Sequence, residues 1–211
     1  MSFTNIQGDV ARYIAHGFHP IPMWGVGPDG FCRCGGFLPN GKPCRAGKHS
    51  PEPIETDWKE TRYQPSDFTE GQNVALALGP WKPGAWLVCF DFDGLPADYE
   101  GTPFFTLPPT LTQKSPRGRH LFFTVPEFEP LGNWIDVFRT KDTPPYLDVF
   151  YARGRVNVAP SRNPWGAYQW LDWREPAPLP PEVTERIYDA RRARGLPVLD
   201  SWDRGAKLPG T

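Results

Sequence analysis

The chain lacks an excess of either charge: 23 Lys and Arg stand against 24 Asp and Glu, a formal net charge of −1 over 211 residues. That balance excludes a general electrostatic pull toward nucleic acid, so any such binding must come from local basic patches. Also missing are an apolar run long enough to span a bilayer and a basic-then-apolar leader. Their absence predicts a cytoplasmic chain, bacterial or host, with no membrane partner. No internal repeat is found. Cysteine is scarce, with four residues, and without an export signal these are expected as thiols in a reducing compartment.

Pro and Gly are plentiful instead, at 27 and 21 residues, near the level where disorder competes with folding. Aromatics make up 14 %, with nine Trp, and disordered chains are poor in them. A loop-rich globular body reconciles the two, and the length suits one core.

Ile6, Val10, Tyr13 and Ile14 share one helical face, with Thr4 or Asn5 as cap and Gly17 just past the end. Strands are predicted over residues 18–23, 74–78, 85–92, 120–125, 146–151, 156–158 and 168–170. The Gly-Pro-Trp-Lys-Pro-Gly segment at 79–84 is predicted as a turn. A basic helix is expected over 181–194. The resulting class is α+β with a mainly antiparallel sheet.

Trp86-Leu-Val-Cys-Phe-Asp-Phe-Asp-Gly94 reads as a buried strand ending in two carboxylates. Side chains alternate along a strand, so Asp91 and Asp93 point the same way. Two such charges repel each other and resist desolvation, and a hard divalent cation, Mg²⁺ or Mn²⁺, relieves both penalties. A third carboxylate, Asp148, lies in Tyr146-Leu-Asp-Val-Phe-Tyr151, while Asp136 occupies a near copy, Ile135-Asp-Val-Phe138. Spacing does not choose between them.

Lys114-Ser-Pro-Arg-Gly-Arg-His120 gathers cations at the mouth of a strand. Arg117 and Arg119 offer planar forks to phosphate oxygens, Ser115 a hydroxyl, and the Gly lets the backbone come close. Arg153, Arg155 and Arg162, around Ala159-Pro-Ser161, form a second basic group suited to a template backbone. Between residues 25 and 53 there is no periodicity, but Cys32, Cys34, Cys44 and His49 form a tetrahedral Zn²⁺ set of structural type. His16 and His19 are alternative fourth ligands. Lys42, Arg45 and Lys48 in the same loop can face DNA, and Cys89, alone in an apolar run, is expected as a buried thiol.

In this order the pieces resemble the primase-polymerase domain of the archaeo-eukaryotic primase superfamily, found in phage and plasmid replication proteins. The resemblance covers roughly residues 6–170. It runs from Gly17-Phe-His-Pro-Ile-Pro through the Cys-rich loop, Asn73-Val-Ala-Leu and Phe90-Asp-Phe-Asp93. It continues through the basic turn ending in His120, Asp148, Val158-Ala-Pro-Ser161 and Tyr168-Gln-Trp170.

The resemblance implies a primase-like catalytic sheet flanked by helices, and Asp91, Asp93 and Asp148 as catalytic metal ligands. His120 is implied on the incoming nucleotide's phosphates, helped by Ser115, Arg117 and Arg119. Implied partners are a single-stranded DNA template, NTP or dNTP, and a replicative helicase in cis or in trans. The catalytic domain is then expected over 1–175, with the zinc loop 25–53 inserted, and 176–211 as a Pro-rich segment with a basic helix and tail. Three positions depart from the family pattern: Pro116-Arg-Gly118 replaces Ser-Gly-Gly, Ala159 replaces the first Pro of Pro-Pro-Ser, and Ala75 replaces a Gly. Phe90-Asp-Phe-Asp-Gly94 also resembles the nucleophile motif of haloacid-dehalogenase-type phosphatases. That motif continues Gly-Thr, against Gly94-Leu95 here, and no downstream acidic pair follows. A zinc-stabilised nucleic-acid-binding module without catalysis is the third reading.

Overall fold

The computed structural model describes residues 5–37, 42–44, 47–51, 54–95, 104–138 and 146–196. Thr4, Arg45 and the tail from 197 onward lie outside these. In chain order the elements begin with α1 (Ile6–Ala15), β1 (Pro20–Met23), a helical turn α2 (Ile54–Asp57), β2 (Asn73–Ala77) and β3 (Gly79–Lys82). Then come β4 (Ala85–Asp93), β5 (Leu111–Ser115), β6 (Gly118–Pro126), β7 (Tyr146–Phe150) and β8 (Arg155–Val158). Short strands β9 (Arg162–Asn163), β10 (Gly166–Ala167), β11 (Gln169–Asp172) and β12 (Ala177–Pro178) precede α3 (Pro181–Ala193).

The larger sheet runs β11-β5-β6-β4-β3, with β7 also on β4 and β12 on β6; β1-β2-β8 form a smaller one. Every pairing is antiparallel except β12 with β6. Alternation along β4 feeds two cores. Trp86, Val88, Phe90 and Phe92 enter one, with α3 residues Val183, Ile187 and Tyr188. Leu87 and Cys89 enter the other, with α1 and the smaller sheet. Each fully buried Phe or Leu here contributes about 1.5–3 kcal/mol. On this second side β4 ends in Asp91 and Asp93, so the acidic end prolongs an apolar face.

Helix α1 follows its sequence signals. The Asn5 side chain accepts from Gly8 N–H at 3.3 Å, and Gly17, at φ 80°, ends the helix with its N–H on the Ile14 carbonyl. Two elements depart from expectation. Residues 79–82 pair with β4, so the turn narrows to Pro83 and Gly84; an edge strand tolerates Pro80 because one of its sides makes no ladder bonds. Leu111–Ser115 is a strand whose polar residues gave no apolar alternation. Past residue 175, β12 joins β6 and α3 closes the first core. Among the described residues no helix is long and apolar enough to cross a membrane.

Candidate active site and metal cluster

The register of the larger sheet builds one polar row. Gln113 on β5 lies opposite His120 on β6, His120 opposite Asp91 on β4, and Asp91 opposite Asp148 on β7. Directly paired residues share a sheet face, so four neighbouring strands present these side chains together. Asp93 stands one repeat further, between Gly118 and Tyr146. Gly118 is obligatory: a Cβ there would sit 1.8 Å from the Phe92 carbonyl oxygen.

Each carboxylate has a different neighbour. Asp93 Oδ2 takes Arg117 at 2.8 Å, and Asp148 Oδ1 accepts from the Asp136 backbone N–H at 2.6 Å. Asp91 Oδ1 lies 3.3 Å from His120 Nε2 yet is buried without a well-formed hydrogen bond. Burial raises the Asp93 carboxyl and the charge on Asp91 raises it further, with Arg117 and Lys48 opposing. Burial also works against ionised Asp91, but His120, then Lys48 and Arg117, more than offset it and hold the group below the ordinary value. A buried, unbonded carboxylate oxygen beside a second carboxylate that it destabilises is a donor set suited to a divalent cation.

Ser115 and Arg117 join this face: Ser115 is buried in line with Gln113, and Arg117 occupies the hairpin turn. Arg119 does not. It pairs with Phe92 and Lys114, facing across the sheet, where it lines a separate cleft of about 450 Å³ with Phe105, Thr112 and Asp172. Alternation along the strand forces this, because His120 already faces the acids. Asp136 is no bystander, since its backbone N–H holds Asp148 and its carbonyl accepts from Arg194. In the second basic group, Arg155 is taken by Glu55 at 2.5 Å and stacks over Trp58. Arg162 stays exposed and, with Arg33, lines a cleft of about 520 Å³ beside the Cys loop.

Buried amides were missed by the sequence reading. Gln113, Asn157 and Asn73 form a network behind His120. Gln113 Nε2 donates to His120 Nδ1 at 2.8 Å and to the Asn157 carbonyl at 2.9 Å. Asn157 and Asn73 side chains both donate to the Gly47 carbonyl, at 3.0 and 3.2 Å. The one available signal was placement: Asn73 and Asn157 lie in otherwise apolar strand runs.

Gly47 lies in the Cys loop between Cys44 and His49, so the second cluster is tied to the first. Sγ of Cys32, Cys34 and Cys44 and a ring nitrogen of His49 lie within 4.8 Å of one another, the one such group among the described residues. His49 Nε2 is 3.5 Å from both Cys32 and Cys44. The alternatives are committed elsewhere: His16 packs edge-on against Trp173, and His19 Nε2 meets the Thr61 carbonyl at 2.6 Å. Burial, with the neighbouring thiols, pushes Cys32 up to about 12. Burial also opposes a thiolate at Cys34, but the Gly36 N–H and the other two thiols hold this one below the ordinary value. Three thiols and an imidazole so placed fit a tetrahedral metal ion. Cys89 is fully buried in the second core, away from this group.

An antiparallel α+β sheet with a carboxylate row, a His and an Arg-bearing hairpin on one face defines a centre equipped for metal-assisted phosphate chemistry. A family model described as bifunctional DNA primase/polymerase, N-terminal, matches residues 10–182, and the chain belongs to that family. Membership points to a DNA primase/polymerase role, with a DNA template and nucleotides as substrates. No curated protein matches the chain.

Proposed function

We propose that the chain is a template-dependent nucleotidyltransferase that makes primers and extends them, with Asp91, Asp93 and Asp148 as the carboxylates of a two-ion centre. The observation that carries this is the row in which Asp91 stands between His120 and Asp148 while Asp93 meets Arg117. When bound, Mg²⁺ or Mn²⁺ would activate the attacking hydroxyl and neutralise the triphosphate and its leaving group. The chain's own residues do the rest. His120 presents Nε2 toward the acids, and Arg117 has a side chain about half exposed, with which it can turn to an incoming phosphate. Ser115, paired with Gly118, closes the hairpin next to Arg117.

Exposed Trp165, whose ring centre is 5.7 Å from the Arg117 guanidinium, offers a face to a base. The cleft with Arg33 and Arg162 suits the template backbone. The Cys32, Cys34, Cys44 and His49 set would hold a structural Zn²⁺, every ligand position being filled by protein. Replication of a phage or plasmid, alongside a helicase, belongs to the same proposal and rests on the sequence resemblance.

The test supplies a single-stranded DNA template, labelled nucleotides and Mg²⁺ or Mn²⁺, with a generic phosphate ester in parallel. Template-dependent, metal-dependent incorporation without ester hydrolysis is expected. Ester turnover without incorporation would reassign Asp91 and Asp93 to a phosphatase, and inactivity in both would leave a binding module.

A further inference from the structure

Gln113 is fully buried, and its amide has four hydrogen-bonding positions, two of them N–H. One N–H meets the Asn157 carbonyl at 2.9 Å, and the amide oxygen accepts from the Ala159 backbone N–H at 3.2 Å. A carbonyl can only accept and a backbone N–H can only donate. The nitrogen and oxygen of this amide are therefore not interchangeable. The remaining N–H then faces His120 Nδ1 at 2.8 Å, so that nitrogen must offer its lone pair. The ring proton is left on Nε2, the atom 3.3 Å from Asp91 Oδ1.

We propose that Gln113 is a positioning residue that locks His120 in the Nε2–H tautomer, so that His120 serves the centre as a hydrogen-bond donor and not as a proton acceptor. An Nε2–H directed at the acidic end can donate to a phosphate oxygen, and it has no lone pair there to take a proton from an attacking hydroxyl. The ligand it would meet, a nucleotide triphosphate, rests on the proposed function; the tautomer does not. The lock reaches further, because the strand that holds Gln113 through the Asn157 carbonyl is itself held to the Cys loop through the Asn157 side chain on Gly47.

Long-range ¹H–¹⁵N spectra of the full chain read the tautomer directly, with the His120 signals assigned by their loss in His120→Ala. The expected wild-type pattern is an unprotonated, pyridine-like Nδ1 and a protonated, pyrrole-like Nε2. A protonated Nδ1 in the wild type overturns the inference. In Gln113→Glu the carboxylate accepts, so Nδ1 should gain a proton while the rest of the spectrum stays folded; an unchanged Nδ1 there also overturns it. If that variant does not fold, Gln113→Met removes the lock without reversing it. Mixed tautomers are then expected, and retention of Nε2–H alone refutes the role of Gln113. None of these readings needs the chain to join nucleotides, so failure of this inference and failure of the proposed function remain distinguishable.

Discussion

Strand β4 and the loop at residues 25–50 are ordered by opposite means. In β4, Val88, Cys89, Phe90 and Phe92 are fully buried, and both faces of the strand are covered. Among its described residues the loop has two isolated bridges, Val26 with Cys32 and Phe37 with Pro43, and leaves Phe37 72 % exposed. Among its described residues Gly25, Cys32, Cys44, Gly47 and Ser50 are buried, and no large apolar side chain is. Burial holds the first region and side-chain ligands converge in the second, so one should survive metal removal and the other should not. The two are linked through the Gly47 carbonyl, shared by Asn73 and Asn157, and through the charge of Lys48 near Asp91 and Asp93.

The comparison breaks most visibly at the acids. Asp91→Asn or Asp93→Asn should lower nucleotide joining by about 10²–10³-fold or more, by analogy with losing one electrostatic group at a reacting centre. Folding should hold, because the cores lie elsewhere and one repulsive charge is gone; a thermal melt checks this beside the activity assay. Stripping the proposed zinc from the Cys cluster comes next. Hydrogen exchange should show residues 25–50 losing protection while β4 and β6 keep theirs, and equal loss in both regions would erase the distinction drawn here.

Gly47→Ala tests the link. Gly47 sits at φ 55°, and a Cβ would come within 2.8 Å of Val26 and 2.9 Å of the Asn73 amide nitrogen. A cost of about 1–3 kcal/mol is expected from the backbone strain alone, read by denaturant unfolding, with partial loss of activity. The smallest effects belong to Arg119→Ala and Asp136→Asn. Arg119 faces away from the acids, and Asp136 acts on Asp148 through its backbone, so both variants should retain most activity. Arg117→Ala should raise the nucleotide KM more than Arg119→Ala does.

Legibility in the sequence followed the same division. The α1 face, the β4 strand and the parallel aim of Asp91 and Asp93 were readable because apolar periodicity marks them. The Cys32, Cys34, Cys44 and His49 set was readable from ligand chemistry, although spacing left His16 and His19 open. Strand β5 was not, since Gln113 and Ser115 are buried polar residues that look like loop positions until their partners are known. The face of Arg119 was not readable either, because composition gathers cations without saying which side of the sheet each takes. The docking of α3 on the first core was hidden by its arginines, of which Arg191, with Arg194 just past the helix end, lies over Trp134. Asp148 and Asp136, alike in local sequence, differ in pairing: Asp148 lies opposite Asp91, and Asp136 gives Asp148 its backbone N–H.

The most direct measurement is primer extension on a single-stranded template with Mg²⁺ or Mn²⁺, run side by side for the wild type, Asp91→Asn, Asp93→Asn, Asp148→Asn and Asp136→Asn. The account predicts metal-dependent extension by the wild type and Asp136→Asn and almost none by the other three. Normal extension by both Asp91→Asn and Asp93→Asn would contradict it outright, and loss in Asp136→Asn with activity kept in Asp148→Asn would contradict the choice of third carboxylate.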